Sequence, residues 1–406
     1  MESAVGRNDP VKHAVVLSGG GAFGAFEIGV LRALVNGKSP STGNEPLEPE
    51  IFTGTSVGAY NAAVLASKGD LNAQASVAYL EDLWLNRIAG GLGDNGVLRV
   101  RGNLTEVMDP REVIRRQLRP VFEAMSDAAY LSLEAGRRLA YFIRSKQPLM
   151  HRTMEMFDFG SIISTEPLQS LVRDTVPFEE LHRSAKILKI AATNWITGDL
   201  RVFVHDPAKG DTEWQEGEEE GLTKDTWPHA LMASTAIPGT FPAVKIEGTP
   251  YVDGGVVMNT PLKSAITAGA SVIHLICLNP DASSIPLDDG PPCTLGTFER
   301  LLSLVVSAAV DDDVATAHLI NNLLDSSPHR KNGAGYREVT VHRYNPEISL
   351  GGMTGILDFR EKCLRNRMDA GEKTAIDHDC AMEGCVIPGK PHQKRVVHRR
   401  KYSQSN

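Results

Sequence analysis

Apolar positions along this chain recur in two short units of the same kind. The β-branched run His13-Ala-Val-Val-Leu17 passes through Ser18-Gly-Gly-Gly21 into a stretch where Phe23, Phe26, Val30 and Leu34 recur at helical spacing. That stretch ends near Asn36-Gly37, and a Gly-, Pro- and Ser-rich connection follows to Pro49. Ile51-Phe52-Thr53 then runs into Gly54-Thr-Ser-Val-Gly58 and a second helix rich in small residues, Ala59 to Ala66. Two strand, turn and helix units predict an α/β fold, a mostly parallel central sheet flanked by helices, whose ligand sites gather at the carboxyl ends of the strands. Both glycine-rich turns belong to that edge.

The pattern changes from about Val97 to Met156, where amphipathic stretches rich in Arg and Glu predict a helical insertion or lid. Strand character returns with Lys186 to Ala192, Arg201 to Val204, Tyr251-Val-Asp253 and Ser271 to Leu278, with a helix expected around Ala230 to Ala236. After Pro291 helices dominate again, and little order is expected beyond about His378. The division that follows is a core domain over 12–280 with the insertion at 97–156, a helical region over 281–378 packing on that core, and a disordered basic tail over 379–406. No internal repeat is visible.

Composition narrows the function classes. Among 406 residues, 42% are apolar and 23% charged, ordinary globular values. A formal net charge of −8 disfavours nucleic-acid binding, which needs a concentrated basic surface. Acidic residues crowd Glu216 to Glu220, whereas Lys394, Arg395, Arg399, Arg400 and Lys401 make the end basic and suited to peripheral contact with anionic lipid. Five cysteines, Cys277, Cys293, Cys363, Cys380 and Cys385, lack the spacing of a disulfide scaffold and fit a reducing, cytoplasmic setting. No apolar run reaches the length of about 18 residues that a spanning helix needs, and no signal peptide is read at the start.

Gly54-x-Ser56-x-Gly58 between a strand and a helix is the nucleophile-elbow pattern. The turn strains the dihedrals of the serine and brings backbone close to its neighbours, which explains the flanking glycines. Gly19, Gly20, Gly21 and Ala22, followed by Gly24, form a second turn whose backbone N–H groups at a helix start suit an oxyanion. The same letters satisfy a dinucleotide-binding fingerprint, but the second strand runs into the serine turn instead of ending on an acidic residue. For the base, Asp253 stands at a strand end before Gly254 and Gly255. Its alternatives are an ordinary Asp-Gly turn and a Ser-His-Asp triad drawn from the twelve histidines. His274 lies inside an apolar strand, and His342 and His378 have no supporting local pattern.

These three elements, in this order, resemble the patatin-like phospholipase family. Ala233-Ser-Thr-Ala-Ile-Pro238 and Asn259-Thr-Pro-Leu262 resemble the segments on either side of that family's Asp-Gly-Gly motif, and Thr165-Glu-Pro-Leu168 and Ala192-Thr-Asn194 are similar to it as well. The resemblance covers roughly residues 12 to 280. It implies a patatin-like three-layer catalytic domain and a Ser56–Asp253 dyad without catalytic histidine. Ester bonds of phospholipids or other acyl lipids would be cleaved through an acyl-enzyme, with no metal and no cofactor. Two departures stand out: Phe23 occupies the position where the family often has Arg or Lys, leaving the glycine loop without its cation, and Ser18 replaces a frequent Asp. A Ser-His-Asp esterase of α/β-hydrolase type and a nucleotide-binding regulatory protein remain the alternatives. Oligomeric state and the natural lipid are not legible.

Overall fold

The computed structural model describes residues 11–90, 99–100, 132–133, 136, 140, 144, 163–209, 217–280, 294–326, 337–351 and 355–391. Most of the helical insertion expected over 97–156, and residues 392–406 of the basic tail, lie outside them. In chain order β1 (His13–Leu17) leads through a 3₁₀ turn into α1 (Gly24–Val35), and β2 (Ile51–Thr55) leads into α2 (Val57–Ser67) and α3 (Ala73–Leu83). A two-strand pair, β3 (Arg99–Val100) and β4 (Ile163–Ser164), precedes α4 (Glu166–Thr175) and α5 (Phe178–Arg183). Next come β5 (Ile187–Asn194), β6 (Leu200–His205), β7 (Glu219–Gly221), α6 (Trp227–Ser234), β8 (Val244–Ile246) and β9 (Thr249–Asp253). The chain closes with α7 (Leu262–Thr267), β10 (Val272–Ile276), α8 (Thr294–Ser326), β11 (Thr340–Tyr344) and α9 (Glu361–Ile376).

The main sheet has the order β11-β10-β1-β2-β5-β6-β7, and its first five strands are all parallel. Strands covered on both faces read as unbroken apolar runs, and Ala14, Val15, Val16 and Leu17 are all fully buried. Because successive side chains point to opposite faces, Val15 and Leu17 join a core with Phe26, Phe52 and Leu364, whereas Ala14 and Val16 join a second core with Ile273, Val310 and Val341. Two cores on two faces make the three-layer α/β arrangement expected. Every residue of α2 is buried, which its run of alanines permits by letting it lie against the sheet and neighbouring helices together.

The C-terminal region departs from the helical reading. It contributes β11, which extends the sheet in parallel beside β10. Its alternating polar letters disguise a buried strand, since Arg343 is held by Asp311 at 2.6 Å and Asn345 at 2.7 Å. The tail does not begin at 379 either: Val386 is fully buried and exchanges backbone hydrogen bonds of 2.8 and 2.9 Å with Val341.

Helix α9 lies on α1 at very short range. A β-carbon on Gly29 would overlap the Met368 carbonyl, and one on Gly371 would overlap the Phe26 carbonyl. Arg32 of α1 also pairs with Glu372 of α9 at 2.6 Å, a partly exposed pair of small energetic weight. Gly29→Ala and Gly371→Ala should therefore each force the helices apart and cost about 1–3 kcal/mol, read as a lowered urea midpoint. Lys362→Ala, on the exposed side of α9, should leave the midpoint unchanged.

Candidate active site

Ser56 sits at the turn from β2 into α2 with φ 56° and ψ −127°, a positive-φ conformation that a serine rarely adopts. The crowding that imposes it is visible at the flanking glycines. A β-carbon at Gly54 would overlap the Gly58 carbonyl, and one at Gly58 would overlap the Leu17 carbonyl at the end of β1. A third support comes from α6. The Ser234 hydroxyl accepts the Ser56 N–H at 2.9 Å and donates to the Ala191 carbonyl of β5 at 2.6 Å. Ser234 belongs to the Ala-Ser-Thr-Ala segment, whose letters carry no hint of this relay.

Asp253 closes β9, where it pairs with Ala192 of β5. Its backbone is held by its N–H on the Ala236 carbonyl at 2.9 Å and by its carbonyl accepting the Thr193 hydroxyl at 3.0 Å. Gly254 must lack a β-carbon because that atom would overlap the Ala191 carbonyl. The carboxyl is buried, which pushes its pKa from 3.8 up to about 6, while the Ser56 side chain and the Gly255 N–H, at 2.7 Å, hydrogen-bond it and oppose the rise. The structure thus joins Ser56 and Asp253, and no histidine is a partner of either among the described residues. His274 is fully buried, stacked on His342 with ring centroids 5.3 Å apart and hydrogen-bonded to the Tyr344 hydroxyl at 2.9 Å.

The glycine loop needs two corrections. Gly19 N–H is taken by the Asn259 carbonyl at 3.2 Å and Ala22 N–H by the Ile356 carbonyl at 2.7 Å, so neither is available as an oxyanion donor. Gly20 and Gly21 are the two of the four whose N–H groups have no acceptor among the described residues. Gly21 has φ 54°, and a β-carbon there would come within 2.5 Å of the Ile356 carbonyl. Asn259, the first letter of the Asn-Thr-Pro-Leu segment, has a role that motif reading did not give it. Its side-chain oxygen fills the space where β-carbons of Gly19 and Gly255 would stand, and so ties the loop to the aspartate turn. Ser18, of unknown effect from sequence, is anchored by its hydroxyl to the Ile276 carbonyl at 2.9 Å and to Thr260 at 3.0 Å.

The second correction concerns charge. The position of Phe23 lacks a cation of its own, but Arg367 of α9 lies over the Phe23 ring at 5.0 Å from its centroid. This buried guanidinium donates to the carbonyls of Ala22 at 3.3 Å, Gly355 at 3.0 Å, Asp358 at 2.9 Å and Leu350 at 3.2 Å. It ties Leu350, Gly355 and Asp358 to the loop residue Ala22. Sequence reading missed it because 344 residues separate Arg367 from Phe23.

A strand, a strained serine and a helix, with a buried carboxyl turned to that serine from a neighbouring strand end, define an α/β protein of the nucleophile-elbow class. The family described as Patatin-like phospholipase matches residues 15–266, and the chain belongs to it. Among solved structures it is similar to VipD from Legionella pneumophila, at 13% identity and a TM-score of 0.35, over 91% of this chain and 66% of that one. The chain thus spans just under two thirds of that neighbour's length. No curated protein matches it. Among the described residues no helix is long and apolar enough to cross a membrane.

The raised pKa of Asp253 has a stability consequence. A carboxyl whose folded pKa exceeds its unfolded value contributes stability that is complete below about pH 4 and is lost as pH rises through about 6. Ionised Asp253 therefore weakens the fold by about 3 kcal/mol at pH 8. Asp253→Asn, neutral at every pH, should raise the denaturation midpoint at pH 8, with the gain shrinking toward pH 4. Equal midpoints for both proteins at pH 8 would contradict the burial argument.

Proposed function

We propose that this chain cleaves carboxylic ester bonds of phospholipids or lysophospholipids through Ser56 as nucleophile and Asp253 as its base. The observation that carries this reading is the contact of a strained elbow serine with a buried carboxyl. As the Ser56 oxygen bonds to the acyl carbon, its proton passes to Asp253, whose raised pKa makes it a better base than an ordinary carboxylate. The oxyanion that forms faces the N–H groups of Gly20 and Gly21 at the start of α1, where the helix dipole adds positive potential. Collapse of the tetrahedral intermediate breaks the ester C–O bond, and protonated Asp253 returns its proton to the departing alcohol. Water then attacks the acyl-enzyme, giving its proton to Asp253, and the fatty acid leaves with Ser56 restored.

Gly24, Gly54, Gly58, Gly254 and Gly255 have supporting roles, keeping backbone and side chain clear of the reacting atoms. Arg367 acts by positioning: its contact with the Ala22 carbonyl holds the loop that presents Gly20 and Gly21, and its other three tie that guanidinium to Leu350, Gly355 and Asp358. Acyl chains must be drawn from a lipid surface, and the basic residues from Lys394 to Lys401 would favour peripheral contact with anionic head groups.

Ser56→Ala and Asp253→Asn should each lower turnover of a soluble short-chain ester by at least about 10³-fold, because members of one catalytic unit fail together. Ser56→Ala should also abolish fluorophosphonate labelling. A tag mapped to another serine, or a folded His274→Gln chain as inactive as Ser56→Ala, would overturn the dyad.

Asp253 must be ionised to act as base, so kcat/KM should be level above pH 7 and fall about tenfold per pH unit below about 6. Undiminished kcat/KM at pH 4.5, in a chain shown to be folded there, would exclude Asp253 as the base.

A further inference from the structure

Four side chains outside the dyad converge on one point. His342 comes from β11, and His378, Cys380 and Cys385 come from the nine residues that follow α9. Their nearest nitrogen and sulfur atoms all lie within 4.8 Å of one another. Cys380 Sγ is 3.4 Å from His342 Nδ1 and 3.4 Å from His378 Nε2, and Cys385 Sγ is 3.5 Å from the same His378 nitrogen. His342, His378 and Cys385 are buried and Cys380 is half-buried.

We propose that these residues form a structural zinc site of Cys₂His₂ type. Zinc bonds of about 2.3 Å to sulfur and 2.0–2.1 Å to nitrogen, in a tetrahedron, set neighbouring ligand atoms about 3.3–3.8 Å apart. All three distances fall in that window. Two soft sulfurs and two imidazole nitrogens are the donor set that selects zinc over the oxygen-seeking cations. Four protein ligands close the coordination sphere, which marks a structural ion with no open position for a substrate.

The surroundings support the ligands. Arg343 N–H donates to Cys385 Sγ at 3.3 Å, an outer contact of the kind that orients a metal-bound thiolate. The backbone pair between Val341 and Val386 locks the residue next to Cys385 against the residue next to His342. A disulfide between the two cysteines would leave two buried imidazoles facing sulfur that has no proton to offer. One zinc ion serves all four groups.

The site joins the edge strand of the sheet to the segment leaving α9, the helix that carries Arg367 to the glycine loop. Zinc would thereby fix where α9 ends and, through it, where Arg367 meets the loop at Ala22.

The test uses the full chain, purified without chelator and passed over a desalting column. Metal analysis should find about one zinc per chain. Cys380→Ser/Cys385→Ser should hold less than a tenth of that, while Cys363→Ser, on α9 outside the cluster, should keep it all. Cobalt(II) in place of zinc should show the intense visible bands of a tetrahedral ion together with thiolate-to-metal charge transfer. A chelator should lower the melting temperature of the native chain and leave that of the double variant unmoved. If the double variant does not fold, titration of the native chain with a mercurial decides: zinc should be released in step with loss of two thiols. A native chain that stays free of zinc after incubation with the ion, or a double variant that keeps its full zinc content, would overturn the site whatever the fate of the dyad.

Discussion

Space around the Ser56 backbone is the constraint from which the rest of the structure can be understood. A positive φ costs a serine on the order of 1–3 kcal/mol and persists only where the surroundings allow no other conformation. Here they come from three strands. The end of β1 presses on Gly58, the elbow folds back on Gly54, and the Ala191 carbonyl of β5 anchors the Ser234 hydroxyl that takes the Ser56 N–H. β2 must therefore lie between β1 and β5, which is the sheet order observed. The same Ala191 carbonyl sits where a side chain at position 254 would have to go, so one atom of β5 governs both the serine and the turn after the aspartate.

Burial divides the carboxyls near the elbow into two kinds. Glu27 on α1 is completely buried, and burial raises its pKa well above the usual range. Asn61 donates to it at 2.8 Å and accepts the Trp84 indole N–H at 2.9 Å, a network that joins helices and meets the backbone at Ser18 and Gly24, on either side of the glycine loop. Asp253 is buried too, but its partners are a hydroxyl and one backbone N–H, both of which favour the ionised form. Desolvation strengthens it as a base while those two bonds keep it charged at neutral pH. No imidazole stands between Asp253 and Ser56 among the described residues, and the histidines of the sheet stack among themselves.

What was legible from sequence is what forms a pattern along the chain. The two strand, turn and helix units, the elbow glycines and the Asp-Gly-Gly turn are recognisable within about ten residues, although the atoms that crowd Gly58 and Gly254 belong to Leu17 and Ala191. The roles that escaped reading act over separations from 43 to more than 300 positions. Ser234, Asn259 and Arg367 are ordinary letters until the sheet brings Ala191, Gly19 and Phe23 to them. β11 was hidden because His342 and Arg343 give it polar letters, and Asp311 of α8 together with Asn345 makes a buried arginine tolerable there. His378-x-Cys380 and Cys380-x₄-Cys385 were visible as spacings, but the fourth donor lies on a strand 36 residues earlier.

The C-terminal region is best understood as a second frame for the glycine loop. α1 begins at that loop, so its direction decides where the N–H groups of Gly20 and Gly21 point. α1 is in turn held by α9 at a distance that admits no β-carbon at Gly29 or Gly371. From that fixed axis Arg367 reaches across the helix pair to four carbonyls, one of them in the loop itself. A lysine or arginine at position 23 would bring charge to the loop from within it. An arginine from α9 brings charge and also makes the loop's geometry conditional on the seating of a helix more than 330 residues away in sequence. Loop and helix are thus one mechanical unit, and whatever anchors the far end of α9 to the sheet edge also governs where the Gly20 and Gly21 N–H groups point.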